Sequence, residues 1–230
     1  MNNFKRCGLI LAVLMITMNT WATELDTDEK KLGYIIGMDI GKSLREQGTA
    51  VDLDTLISAI RTTYKGEEPA MTVEEAGQVR KDYIEKRQAE QKAEASAIGA
   101  TNLEEGKKFL AENATKEGVQ TTASGLQYMV ETMGTGPKPV ATDTVKVHYR
   151  GTLLDGTEFD SSYARNEPIS FGLNRVIAGW TEGVQLMSVG SKYTFWIAPD
   201  LAYGEGGGGP IPPNSTLKFE VELLAIEPPE

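Results

Sequence analysis

Thr144-Val-Lys-Val-His-Tyr149 alternates branched or aromatic residues with polar ones, so an extended chain here puts Val145, Val147 and Tyr149 on one face and Lys146, His148 and Arg150 on the other. The same period of two runs through Gly125-Leu-Gln-Tyr-Met-Val130, Lys192-Tyr-Thr-Phe-Trp-Ile197 and Leu217-Lys-Phe-Glu-Val-Glu-Leu223. These read as half-buried antiparallel strands. Gly134 to Pro139, Asp155-Gly156 and Gly204 to Pro213 supply turns. Between the strands only Trp180 to Met187 has helical character. A sheet with one helix to cover a face is an α+β arrangement.

Upstream the period changes. Of the ten prolines, only Pro69 precedes residue 119. Asp26 or Thr27 can cap a helix in which Leu32, Ile36, Ile40 and Leu44 recur every fourth residue, ending near Gly48. Beside them runs Gly33, Gly37 and Gly41, each costing about 1 kcal/mol of helix propensity relative to Ala. Close approach of a second helix would explain that stripe, and Lys30, Lys31, Asp39 and Lys42 exclude a membrane as its setting. Asp52 caps a second helix through Tyr64, broken by Gly66 to Pro69. Thr72-Val-Glu-Glu75 is a capping box that starts a third. Its apolar face lasts about three turns. From Glu85 to Lys108 it is polar nearly all round, which predicts a solvent-crossing helix. Unbroken to Glu112 it would be on the order of 60 Å long, and Gly99 and Gly106 are candidate kinks. So small a helical unit buries little by itself, which predicts a homodimer through it.

The first 22 residues differ again. Lys5 and Arg6 precede a mostly apolar run from Cys7 to Met18 and then Thr20-Trp21-Ala22, the layout of a signal peptide cleaved after Ala22. The run is shorter than the ~20 residues that span a bilayer. Cys7 stands too early to be a lipidation site. The expected organisation is therefore 1–22 signal peptide, 23–118 helical dimerisation region with a long linker helix, and 119–230 sheet domain. Export to the periplasm, outer membrane or cell surface follows.

Composition narrows the chemistry. One Cys cannot form a disulfide within the chain, and one His and one Cys exclude most metal centres and nucleophile–His–acid machines. Acids outnumber bases 33 to 23, giving −10, which argues against nucleic acid. His148 falls on the polar face of its strand with no second ligand at metal spacing. Gly204-Glu-Gly-Gly-Gly-Gly209 satisfies G-x-G-x-x-G but runs into Pro210-Ile-Pro-Pro213 instead of a helix N-terminus, and Glu205 would repel phosphate. It reads as a loop over something. The hydroxyls of Ser161, Ser162 and Ser188 lack a base. What remains is an apolar set: Tyr149, Phe159, Phe171, Val176, Ile177, Trp180, Tyr203, Ile211 and Phe219. Asp160 and Arg165, five residues apart within it, read as a mutually satisfied buried pair of the kind that marks sites.

Six ordered motifs carry a family resemblance: Val147-His-Tyr-Arg-Gly151, Gly156-Thr-Glu-Phe-Asp-Ser-Ser162, Val176-Ile-Ala-Gly-Trp180, Gly183-Val-Gln-Leu-Met-Ser-Val-Gly190, Pro199-Asp-Leu-Ala-Tyr-Gly204 and Ile211-Pro-Pro213. Together they resemble the FKBP-type peptidyl-prolyl cis/trans isomerases. Asp28 to Gly41, with the charged helix after it, resembles the dimerisation region of the exported branch typified by the macrophage infectivity potentiator. The resemblance implies an all-helical dimerisation region and long helix, then a curved antiparallel sheet wrapped round one short helix.

It also implies an activity: isomerisation of prolyl bonds during folding of exported proteins, non-covalent and without metal or cofactor. Trp180 would be the pocket floor, with Tyr149, Phe159, Val176, Ile177 and Phe219 as walls. Tyr203 and the Ile177 N–H would donate to substrate carbonyls. Asp160 would sit at the rim, held by Arg165 and Tyr149. Phe171, Ile169 and Ile211 complete the binding set, Ile169 standing where the family often has an aromatic. Partners would be unfolded or proline-containing polypeptides and macrolide inhibitors such as rapamycin. The rival reading is a holdase or surface-binding module that keeps the fold and makes little use of the pocket.

Overall fold

The computed structural model describes residues 24–227. The predicted signal peptide, including its cleavage after Ala22, lies outside the described residues. The chain divides between Val73 and Glu74 into two compact units.

The first unit holds α1 (Asp28–Glu46) and α2 (Leu53–Tyr64). Of the two candidate caps Thr27 is the one used: its side chain accepts from the Lys30 N–H, while the Asp52 carboxylate accepts from Thr55 N–H at the start of α2. Neither helix has a buried residue. Leu32, Ile36 and Ile40 stay exposed on α1, and Ile57 and Ile60 on α2. A Cβ built on Gly33, Gly37 or Gly41 would meet no atom within 4 Å. Within this unit the glycine stripe is open.

The second unit opens with α3 (Val73–Asn113), a single helix of 41 residues without a break at either glycine. Here the reading of Glu85 to Lys108 as solvent-crossing fails at its C-terminal end. Gly99, Gly106 and Asn113 are buried, spaced seven apart, and therefore share one face. Their neighbour is the 213–216 segment. A Cβ on Gly99 would lie 3.1 Å from Pro213 Cβ, and one on Gly106 2.3 Å from Thr216 Oγ1. Asn102 Nδ2 donates to the Pro213 carbonyl at 2.8 Å. Asn113 Nδ2 donates to Gln127 Oε1 at 2.9 Å, and Gln127 Nε2 to the Leu110 carbonyl at 2.7 Å. The glycines are notches for packing, not kinks.

A seven-stranded antiparallel sheet follows: β1 (Val119–Thr121), β2 (Gln127–Thr132), β3 (Thr144–Leu153), β4 (Glu158–Ser161), β5 (Ile169–Gly172), β6 (Lys192–Ile197) and β7 (Leu217–Glu227). The order is β1-β2-β6-β7-β3-β4, with β5 also paired to β3. Strands β1, β4 and β5 are additions to the sequence reading. Register shifts at Val130/Thr132, Lys146/Val147 and Gly151/Thr152 insert extra residues, and such bulges bend and coil a sheet. The concave side holds α4 (Ala178–Leu186). Its approach is close because Gly179 and Gly183 face β6: added Cβ atoms would lie 2.5 Å from Ile197 and 2.7 Å from the Phe195 ring. Val145, Val147, Phe195, Ile197, Leu217, Val221 and Leu223 form the core under the helix.

Candidate active site

At the open end of this core, α4 and the sheet leave a pocket of about 570 Å³. Trp180 on the first turn of α4 is its floor, only 5 % exposed. Three rings stand edge-on around the indole: Phe219 at 5.2 Å and 88°, Phe171 at 5.3 Å and 61°, and Tyr149 at 5.4 Å and 90° between ring centroids and planes. Edge-to-face packing of this kind fixes the plane of the indole. Phe159 reaches the site because the bulge opposite Gly151 makes it the extra residue of β4. Its ring meets Phe219 at 5.5 Å. A Cβ on Gly151 would lie 2.7 Å from both phenyl rings, so glycine is required where they close over the strand.

The polar elements sit at the rim. The Tyr149 hydroxyl donates to Asp160 Oδ2, Arg165 Nη1 donates to Asp160 Oδ1 at 2.5 Å, and Arg165 Nη2 donates to the Tyr149 oxygen at 3.0 Å. Burial disfavours the charged form of Asp160. The Tyr149 hydroxyl and the Arg165 guanidinium outweigh it and hold the carboxyl below its ordinary value. Burial first, and then the hydrogen bond to Asp160, push the Tyr149 hydroxyl up, so it stays a donor. The expected buried pair is in fact half-exposed, with 43 % of the Asp160 side chain and 49 % of that of Arg165 open to solvent. It is a rim device, since both residues lie on the strand and turn leading out of the pocket.

Two donors point to no protein acceptor among the described residues. The Tyr203 hydroxyl has none, and the ring, 44 % exposed, lines the pocket. Ile177, which precedes α4 with extended backbone angles, gives its N–H to no backbone carbonyl. The Gly204–Gly209 segment forms a 3-10 turn over Gly204–Gly206 and then a tight turn closed by a Gly208–Ile211 bridge, not a phosphate loop. Gly207 has a φ of +67°, and a Cβ on Gly208 would lie 2.9 Å from the Tyr203 ring. His148 lies outside, bonded through Nδ1 to Ser162 Oγ at 2.9 Å and stacked on Tyr163.

Tyr149, Phe159, Asp160, Trp180, Tyr203, Phe219, Ile169, Phe171, Val176, Ile177 and Ile211 all line this one pocket. Arg165 alone of the expected set stands behind it, touching Asp160 and Tyr149. Arg175, Gly208 and Pro210 also line it and were not anticipated. Gly208 and Pro210 belong to a run that could have been assigned from its position over the apolar set. Arg175, a lone base in a turn, gave no signal.

A curved sheet closed by one helix over an aromatic pocket, with donors and an ion pair at the rim, makes a binding cleft suited to an apolar ring flanked by polar groups. Residues 135–224 match the family model for FKBP-type peptidyl-prolyl cis-trans isomerase, and residues 29–130 match that for the domain amino terminal to it. The chain is 50 % identical to the FKBP-type peptidyl-prolyl cis-trans isomerase FkpA of Aeromonas hydrophila, covering 100 % of this chain and 97 % of that one. It is 39 % identical to the outer membrane protein MIP of Legionella longbeachae, over 96 % and 94 %. The crystal structure of FkpA from Escherichia coli superimposes with a TM-score of 0.71 at 39 % identity, covering 89 % and 99 %. The chain belongs to the FKBP-type peptidyl-prolyl cis-trans isomerases, with the helical domain that precedes the isomerase domain in that family. Its enzyme class, and the fold expected from the motifs, are thereby borne out.

Proposed function

We propose that this isomerase seats a prolyl ring on Trp180 and twists the preceding amide inside the apolar pocket. The observation that carries the reading is the pairing of an edge-fixed indole floor with two unengaged donors, Tyr203 Oη and Ile177 N–H. The barrier of about 18–20 kcal/mol comes from C–N double-bond character. Rotation localises the nitrogen lone pair and removes the charge-separated resonance form, so the twisted amide is less polar than the planar one. Apolar walls from Phe159, Phe171, Val176 and Phe219 favour that state, and the two donors fix the flanking carbonyls while the amide turns. Asp160, tied by Arg165 and Tyr149, keeps the Tyr149 ring in place. Uncatalysed exchange takes tens to hundreds of seconds. Millisecond turnover requires a barrier lower by roughly 6 kcal/mol. Prolyl exchange in a short peptide tests this. Wild type should accelerate it and Trp180→Ala should lose at least about tenfold in kcat/KM, whereas a wild type without acceleration would leave only the binding-module reading.

The division of labour we propose is dimerisation by 23–118 and catalysis by 119–230, with the end of α3 serving as a seat for the catalytic domain. The exposed apolar side chains of α1 and α2 and the open glycine stripe support self-association. Sedimentation should give a dimer at micromolar concentration, and a monomer there would overturn it. Export to the periplasm or outer membrane accords with the leader-like first 22 residues. Among the described residues no helix is long and apolar enough to cross a membrane. N-terminal sequencing of the exported protein should begin at Thr23. Clients are extended, proline-containing chains, and two tethered pockets on one client gain by effective concentration. We propose the same pocket as the site for macrolides such as rapamycin, with Ile169 providing a smaller wall than an aromatic would.

A further inference from the structure

Only two charged side chains line the pocket, Asp160 and Arg175. The Asp160 charge is taken up by Arg165 at 2.5 Å. Arg175, the last residue of the 3-10 turn Leu173–Arg175, has no equivalent partner. The ion pairs of the sheet domain use Arg150, Arg165, Lys192 and Lys218. Among the described residues, no hydrogen bond or ion pair engages the Arg175 guanidinium. The pocket mouth therefore carries one uncompensated positive charge on a chain whose net charge is −10.

Position adds to charge. Arg175 is two residues before Ile177, whose N–H is one of the two open donors, and its side chain lines the same wall. A peptide held through that N–H would bring the side chain of a residue flanking its proline within reach of the guanidinium. Guanidinium is always charged and its planar fork matches a carboxylate. The overall negative charge does not cancel this, because charges beyond a Debye length of about 10 Å are largely screened and the nearest group decides.

We propose that Arg175 is a specificity-determining residue that favours prolines flanked by an acidic side chain, Asp or Glu. The proposal rests on the isomerase reading above. Two tetrapeptide series test it by prolyl exchange in the full-length protein, one varying the residue before proline and one the residue after, each with Glu, Gln and Lys. In at least one series wild type should favour Glu over Gln in kcat/KM by about two- to fivefold, the range of an exposed ion pair, at about 0.1 M salt, where the distant acids are screened. Arg175→Gln should bring that ratio to about one, and Arg175→Glu should invert it toward Lys. Equal Glu and Gln values in both wild-type series overturn the proposal, as does a preference that survives Arg175→Gln. The Gln peptides read the isomerase independently of charge. Failure to accelerate any peptide removes the activity itself and the proposal with it, whereas acceleration of Gln peptides without a Glu preference removes the proposal alone.

Discussion

Two helices of this chain carry glycines in their interiors, and the two sets do opposite things. On α1, Gly33, Gly37 and Gly41 open onto free space, and no residue of the helix is buried. On α3, Gly99 and Gly106 are filled by Pro213 and Thr216 of their own chain, and both are buried. A glycine within a helix costs the same propensity in either place. What distinguishes them is where the contact is recovered: inside the chain for α3, and in a second copy for α1 if the proposed dimer forms. A helix interrupted by small residues thus signals a neighbour without saying whether that neighbour belongs to the same molecule.

The strongest way to break this contrast is at Gly106. Gly106→Ala should destabilise the second unit by about 1–3 kcal/mol in denaturant unfolding, since the new methyl overlaps the Thr216 hydroxyl. Combining it with Thr216→Ala should recover most of that loss. The overlap with the hydroxyl disappears, leaving a contact of 3.3 Å to the residue 216 Cβ, and so does a buried hydroxyl that has no hydrogen-bond partner among the described residues. Additive losses in that cycle would show that the notch is not the site of contact. Next, Asn113→Ala strands the Gln127 amide oxygen and should cost about 1–2 kcal/mol, while Asn102→Ala, which removes a part-buried donor to the Pro213 carbonyl, should cost less. On α1 the sign reverses. Gly37→Ala should raise local helix stability by about 0.5–1 kcal/mol while weakening self-association, read by circular dichroism and sedimentation on the same sample.

The smallest effect concerns pH. The Asp160 carboxyl is held below its unfolded value of about 3.9. Its contribution is therefore complete above that value and is lost as pH falls through the lower folded one. The stability gap between wild type and Asp160→Asn should be constant from about pH 5 to 8 and close below about pH 4. Half-exposure of the ion pair keeps it small.

Legibility in the sequence followed the same divide. The α1 and α2 caps, the capping-box start of α3 and the four longer strands were readable because each rests on local periodicity or a local hydrogen bond. Strands β1, β4 and β5 are three or four residues long, too short for alternation to register, and β4 is further disrupted by its bulge. The docking of α3 was missed because notches and amides make most of it, through Gly99, Asn102, Gly106 and Asn113, and the half-buried Leu103 and Leu110 between them are too few to stand out in a charged helix. The seven-residue spacing of Gly99 and Gly106 was the available signal. Most of the pocket was anticipated through motif resemblance. Its aromatic residues alone read as core, and Phe159 enters the site only through a bulge that no periodicity reveals. Arg175 went unnoticed because an isolated base in a turn looks like any solvated residue until the pocket is built beside it.

The seating of α3 also implies that one continuous helix has two lifetimes. Its amides from Gly99 to Asn113 are anchored to the domain core through Pro213, Thr216 and Gln127, so their exchange with solvent deuterium should require opening on the scale of the whole domain. The turns from Lys86 to Glu94 bury nothing and should exchange through local fraying, orders of magnitude faster. The helix is continuous in hydrogen bonding but not in cooperativity, and a protease would find its first cut where the two lifetimes meet.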